Sequence, residues 1–197
     1  LLNEADWQGQ WIGLDRAASG DSEAQWSRLA ARYLRKEFAL SKEVKRATVH
    51  IAGMGLYELF INGQRIGDQV LAPAPTDYRK TILYNTYDVT PQLRKENAIG
   101  VTLGNGRFYT MRQNYKPYKI PTFGYPKLRL NLIVEYMDGS KETIATNTSW
   151  KLTTEGPVRS NNEYDGEEND ARKELGNWTQ SGYDDKSWIA AQRVSIP

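Results

Sequence analysis

Single alternation of apolar and polar side chains runs through this chain from about residue 31 onward, and the i, i+3, i+4 recurrence of an amphipathic helix is weak throughout. Successive side chains of a strand leave on opposite faces. Such a pattern can hide its apolar half only by pairing strands into sheets and packing the sheets together. Residues 128–136 show the alternation most clearly, and in residues 45–52 the side chains of Ala47, Val49 and Ile51 share the face expected to enter a core. A strand over 32–40 ends at the polar break Ser41-Lys42-Glu43. Residues 56–61 lead into Asn62-Gly63, a pair that tolerates positive φ and so predicts a two-residue hairpin, with 64–68 as the return strand.

Gly53-Met54-Gly55 is expected to interrupt the run between the second and third of these strands. Residues 71–78 carry prolines two apart, Pro73 and Pro75, which no central strand admits, so a loop is expected there. Strand character resumes over 80–89, and Thr90-Pro91-Gln92-Leu93 predicts a short helical turn with Thr90 as its cap. Further strands are expected over 97–103, 141–146 and 149–153. Residues 107–126, rich in Tyr, Lys and Pro, far exceed the usual hairpin connection of about 2–5 residues and are expected to be functional or mobile. About eight to ten short strands joined by Gly and Pro turns predict an all-β antiparallel β-sandwich or jelly roll with few short helical turns. Residues 1–26, where Trp7, Trp11 and Trp26 sit in polar sequence, read as an N-terminal extension packing on the sandwich; residues 27–192 read as the sandwich, and 193–197 as a linker.

Composition removes several classes of function. Lys and Arg total 26 against 24 Asp and Glu, a net charge of +2 that offers no basic field for nucleic acid or an anionic membrane. With no cysteine there is no disulfide framework or thiolate metal site, and a single histidine, His50, leaves no imidazole cluster and no evident Ser-His pair. No apolar run approaches the roughly 20 residues of a membrane-spanning helix. The opening Leu1-Leu2-Asn3-Glu4 lacks Met, a basic n-region and an apolar h-region, as expected of a processed or excised piece. The 12 Tyr and 6 Trp, against 4 Phe, are rings with a polar handle, suited to sugar faces as well as to sandwich cores.

Three groups of residues could carry chemistry. The acidic run 161–170, with Glu163, Asp165, Glu167, Glu168 and Asp170, is open to three readings: a solvated hydrogen-bonding loop, contacts to a sugar or cation, or an acid and base pair. It lacks the spacing of an EF-hand. After Gly104-Asn105-Gly106 come Arg107, Phe108, Tyr109, Arg112, Asn114, Tyr115 and Tyr118, rings and bidentate donors suited equally to sugar hydroxyls or to a neighbouring domain. His50, opposite the Val49 and Ile51 face, reads as a surface or interface residue, and Asp77 with Tyr78 can be turn chemistry.

Several of these motifs, in this order, resemble a known family. The run Gly55 to Asp68, then Leu71-Ala72-Pro73, Thr76-Asp77-Tyr78-Arg79-Lys80 and Tyr84-Asn85-Thr86-Tyr87-Asp88-Val89-Thr90, is similar to the N-terminal domain of bacterial α-L-rhamnosidases of glycoside hydrolase family 78. Gly104-Asn105-Gly106, Tyr164-Asp165-Gly166-Glu167, Asp170-Ala171-Arg172, Trp178, Gly182-Tyr183-Asp184-Asp185 and Ser187-Trp188 extend the resemblance over roughly 27–192. It implies a galactose-binding-like jelly roll that supports, without catalysing, an inverting cleavage of terminal α-L-rhamnose. The catalytic carboxylates would lie in an (α/α)₆ barrel elsewhere in the parent polypeptide. It also implies a bacterial, periplasmic or extracellular parent, with a cytoplasmic one left open. The alternative it implies is an autonomous rhamnose- or carbohydrate-binding module, related to carbohydrate-binding module family 67, with contacts at Asp77, Tyr78, Asn105, Arg107, Tyr109, Glu163 and Glu167. Where calcium-dependent members of that family carry an Asp-Asn pair, this chain reads Ala72-Pro73-Ala74-Pro75-Thr76, so no cofactor is expected and calcium would lack two oxygen ligands. Arg107-Phe108-Tyr109 also departs from the family's Trp-Tyr, and Asn169 from its usual Tyr.

Overall fold

A computed structural model of the chain describes residues 2–16, 29–109, 123–164 and 166–196. Its strands in chain order are β1 (Ile12–Gly13), β2 (Arg32–Ala39), β3 (Val44–Met54), β4 (Leu56–Ile61), β5 (Gln64–Ile66), β6 (Tyr84–Asp88), β7 (Glu96–Gly104), β8 (Lys127–Tyr136), β9 (Lys141–Ala145), β10 (Lys151–Thr153), β11 (Val158–Asn162), β12 (Gly166–Asn169), β13 (Ile189–Ala190) and β14 (Gln192–Arg193). One six-stranded sheet runs β14-β1-β8-β3-β6, with β9 in line with β1 on the same edge of β8; a second runs β13-β10-β2-β7-β4-β5; β11 and β12 form a separate hairpin. Every pairing is antiparallel. The chain is therefore an all-β sandwich, as its alternation predicts.

The core lies between the two sheets. From the first sheet come Val49 and Ile51 of β3 and Leu128, Leu130, Leu132 and Val134 of β8; from the second come Leu34, Leu59, Ile61, Ile99, Val101 and Leu103. Fully burying each such aliphatic side chain stabilises the fold by about 1.5–3 kcal/mol before ordering entropy is counted. The Asn62-Gly63 turn forms as expected, at φ 51° and 82°. Asn62 is itself buried, its Nδ2 donating to Gln92 O and Asn97 Oδ1 at 2.8 Å each while Oδ1 accepts from Ala98 N.

Four local expectations are corrected. The run 53–55 does not break β3, which continues to Met54; the reversal falls on Gly55 alone, at φ 121°. The return strand stops at Ile66 because Gly67 turns the backbone to φ 81°. The strand expected over 80–89 is regular only from Tyr84, since Lys80 N and Thr81 N both donate to Asp77 O and hold the preceding residues in a turn. Thr90 is the first residue of its 3-10 turn and not its cap; its hydroxyl accepts from Ala47 N and donates to Asp88 Oδ1, tying the turn to β3.

Each sheet's outer face carries a further layer. On the second sheet, Trp178, Tyr183 and Trp188 pack around Tyr33. Arg35 of β2, 1% exposed, holds this layer: Nε donates to Trp178 O, Nη2 to Gln180 O and Glu37, and Nη1 to Asp185. On the first sheet, Trp7 and Trp11 lie against the guanidinium of Arg129. Asn131 Oδ1 accepts from Gly9 N at 2.7 Å.

Candidate functional site

The acidic run, for which a loop was one reading, is mostly a β-hairpin. Residues 158–162 pair with 166–169, Asn161 opposite Glu167 and Asn162 opposite Gly166, with a shift of register between Val158 and Ser160. The Gly104-Asn105-Gly106 turn is what this hairpin docks on. A Cβ on Gly104 would stand 2.7 Å from Asn161 Oδ1, so glycine there permits the approach, while one on Gly106, at φ 49°, would stand 2.7 Å from Leu56 Cγ of β4. Asn105 between them makes the joint: its backbone N donates to Asn161 Oδ1 at 2.6 Å, and its Nδ2 to Leu29 O at 2.7 Å and Asn161 O at 2.8 Å.

Between the end of β7, the start of β4 and the hairpin lies a cleft of about 700 Å³. Leu56, Val158 and Ala31 supply its apolar surface, and Arg107, Asn162, Glu163 and Glu167 its polar edge. Arg107 Nη1 donates to Glu163 Oε1 at 2.6 Å and to the Tyr164 hydroxyl at 3.0 Å. The carboxylate partner raises the guanidinium's pKa further. Tyr78 closes one side; burial, and then the charge of Glu163, push its phenol up from the ordinary value.

The structure therefore brings together Tyr78, Arg107, Glu163 and Glu167 of the residues singled out from the sequence. The others lie apart. Asn105 is wholly buried in the joint just described. Tyr109 is buried and stacks on Tyr125 at 5.5 Å. Asp77 is exposed in its turn, accepting from Arg79 N and facing Lys80 Nζ at 3.5 Å. Phe108 is buried with Met54 and Tyr78. Arg112, Asn114, Tyr115, Tyr118 and Asp165 lie outside the described residues. Sequence reasoning missed the rim formed by Val70 and Leu71, 77% and 71% exposed. Leu71 sits at φ 59°, a conformation that no residue-type signal foretells for leucine. Glu58, projecting from β4 into the same cleft, was legible only as an outward position of an alternating strand.

Chemically, the cleft offers one guanidinium, carboxylates, amides and apolar surface. Among the described residues no three His, Asp or Glu side chains gather to hold a metal ion. In the loop where the resemblance implies calcium, Thr76 Oγ1 donates to Thr81 O and Asp77 is engaged in its turn. That donor set does not fit a hard cation. A general acid for glycoside cleavage needs a raised carboxyl pKa. The carboxylates that are clearly displaced are lowered, and none of them lines the cleft: Asp88 and Asp138 are held down by Thr90, and by Lys42 and Ser140, while Lys173 lowers Glu155 and Arg172 brings Asp170 to about 2.

An antiparallel sandwich with a polar-edged cleft is an architecture suited to binding or to supporting a neighbouring domain. Residues 42–197 match the family model described as alpha-L-rhamnosidase N-terminal domain, and the chain belongs to that family. An alpha-L-rhamnosidase of Formosa agariphila is 39% identical over 99% of this chain and 22% of its own length. The solved alpha-L-rhamnosidase of Dictyoglumus thermophilum superposes with a TM-score of 0.86 at 42% identity, covering all of this chain and 22% of that one. That of Streptomyces avermitilis, crystallised with L-rhamnose, gives a TM-score of 0.74 at 38% identity over 85% of this chain and 16% of its own. The chain thus spans about 22% of the length of the first relatives it matches and corresponds to their accessory N-terminal domain.

Proposed function

We propose that this chain serves an α-L-rhamnosidase as a non-catalytic domain, supporting a catalytic domain elsewhere in the same polypeptide that removes terminal α-L-rhamnose from glycosides. The observation that carries this reading is its match, end to end, to 22% of the length of proteins named alpha-L-rhamnosidase. The exposed Val70 and Leu71 beside the cleft suit a face turned toward the rest of the enzyme. The test is release of nitrophenol from an aryl α-L-rhamnoside. The full-length parent turns over and this chain alone does not; turnover by the chain above solvent background ends the accessory reading.

The cleft itself favours a second reading, in which the domain also holds a rhamnose-containing glycan. Arg107 and Glu163 present donors and acceptors at its edge, and its volume of about 700 Å³ lies within the roughly 300–1,000 Å³ of small-molecule sites. Calorimetric titration of the chain with L-rhamnose, with and without calcium, decides this. Heat that is the same in both arms and is lost in Glu163→Gln supports it; no heat and no thermal shift at about millimolar sugar, a weak but measurable range, sinks it.

A further inference from the structure

The outer face of the first sheet carries a pocket of about 240 Å³ that shares no lining residue with that cleft. Its floor is set by strand register. Tyr84 of β6, Ala52 of β3 and Arg129 of β8 lie directly opposite one another across the three strands, so a large ring, a methyl group and a guanidinium stand in one row on the outer face. The small central residue makes the hollow. Trp7 and Trp11 wall it: Arg129 Cζ lies 5.1 Å from the centre of the Trp7 ring and 6.0 Å from that of Trp11, and Trp7 meets Tyr84 edge to face at 5.7 Å.

Arg129 is only 8% exposed. Its Nε donates to Gly9 O at 2.7 Å and its Nη1 to Glu4 Oε1 at 2.6 Å, whereas among the described residues its Nη2 has no hydrogen-bond partner. The Tyr84 hydroxyl accepts from Leu2 N, which leaves its own proton to donate. A nearly buried guanidinium with an uncommitted N–H, beside a carboxylate and a phenol, would lose hydration without return against an apolar ligand. The Arg129–Glu4 pair cancels its own charge, so nothing here selects an ion. What remains is an amphipathic guest with hydroxyls on its edge and C–H bonds on its face.

We propose that this pocket is a second saccharide site, taking one neutral pyranoside unit against Trp7, Trp11 and Tyr84, with its hydroxyls on Arg129 Nη2 and the Tyr84 hydroxyl. It shares no lining residue with the cleft, so the two sites can be tested separately. A domain holding a glycan here can keep a polymeric substrate near the parent enzyme, raising its effective concentration without taking part in cleavage.

The test is titration of the isotopically labelled chain with methyl β-D-glucopyranoside and, separately, methyl α-L-rhamnopyranoside, following the indole N–H signals. At least one sugar shifts the Trp7 and Trp11 signals saturably, with those of Trp178 and Trp188 unmoved. Ala52→Leu fills the floor from the sheet and abolishes the shifts while leaving the thermal midpoint near that of the parent sequence. Arg129→Lys keeps the charge, removes the forked donor and weakens binding several-fold. Glu163→Gln, in the cleft, leaves the titration unchanged, so failure of either site is read separately. No saturable shift with either sugar, shifts that survive Ala52→Leu, or loss of the response in the full-length parent overturns the proposal.

Discussion

Arg107 and Glu163 join across the mouth of the cleft at 2.6 Å, linking the end of β7 to the β11–β12 hairpin 56 residues further along the chain. Both are partly exposed, at 39% and 31% of their side chains, so the pair contributes little to stability, about 0.5 kcal/mol and at most about 1. A double-mutant cycle with Arg107→Ala and Glu163→Gln is expected to return a coupling of that size by urea unfolding. On the proposal that the cleft holds a sugar, either variant lowers that affinity far more than it lowers the unfolding midpoint. A coupling above about 2 kcal/mol makes the pair a structural staple instead.

Arg35 is the opposite case. Its guanidinium is buried, and four partners from two segments converge on it: Glu37, Asp185, and the carbonyls of Trp178 and Gln180. Arg35→Met keeps the apolar stem and leaves those part-buried acceptors without their buried donor, at a cost of about 2–4 kcal/mol. The layer carrying Trp178 and Trp188 is then expected to open first, read as early tryptic cleavage near Arg172 and Lys173 and loss of near-ultraviolet circular dichroism. Unchanged proteolysis with a shift below about 0.5 kcal/mol refutes that role.

What could be read from the sequence follows from the range of the interactions involved. Strands β3 and β8 declare themselves through neighbours in the chain, as Val49 and Ile51 or Leu130 and Leu132 alternate with polar residues, and Asn62-Gly63 encodes its turn in two adjacent side chains. The joint made by Asn105 is different in kind. Its glycines flag a turn, but that Asn105 would bond to Leu29 and Asn161 depends on segments 76 and 56 residues away. The same holds for Arg35, whose charge in an alternating strand reads as a solvent-facing position until the C-terminal segment covers it. Tyr109 was picked out as a ring open to sugar, and tertiary packing turns it inward against Tyr125, whereas Tyr78 packs edge-on against Phe108 and still lines the cleft. The cleft's Arg107 and Glu163 were visible as residue types, and their contact was not.

Gly100 marks where the outer layer meets the second sheet. A Cβ there would lie 2.6 Å from Thr179 Cγ2 and 2.8 Å from Trp178 Cζ3, and the indole is already wedged against Phe60, Tyr33 and Trp188. Gly100→Ala is expected to destabilise the fold by about 1–3 kcal/mol despite the better strand propensity of alanine, because the displaced ring has nowhere to go. The Trp178 indole signal shifts. A stability gain shows that the ring yields.

Stability should fall on both sides of neutrality for identifiable reasons. Burial lowers the pKa of His50, whose Nδ1 lies 2.8 Å from Thr86 Oγ1. The unfolded chain therefore takes up a proton near pH 6.5 and the folded chain only at lower pH, so unfolding becomes easier as pH drops through that interval and the effect levels off below it. His50→Gln removes this slope while leaving the carboxylate-driven loss at more acid pH. On the alkaline side, burial pushes Tyr33 from 10.0 up to about 12. The unfolded chain loses that proton first, so stability declines as pH rises from 10 toward 12. Tyr33→Phe is expected to make the alkaline limb shallower by one proton while costing about 1 kcal/mol at neutral pH, where Val158 N loses its acceptor. Urea midpoints between pH 5 and 11 measure both limbs, taking about 1.4 kcal/mol for each proton and pH step. An acid limb unchanged by His50→Gln, or an alkaline limb unchanged by Tyr33→Phe, removes the corresponding residue as its cause.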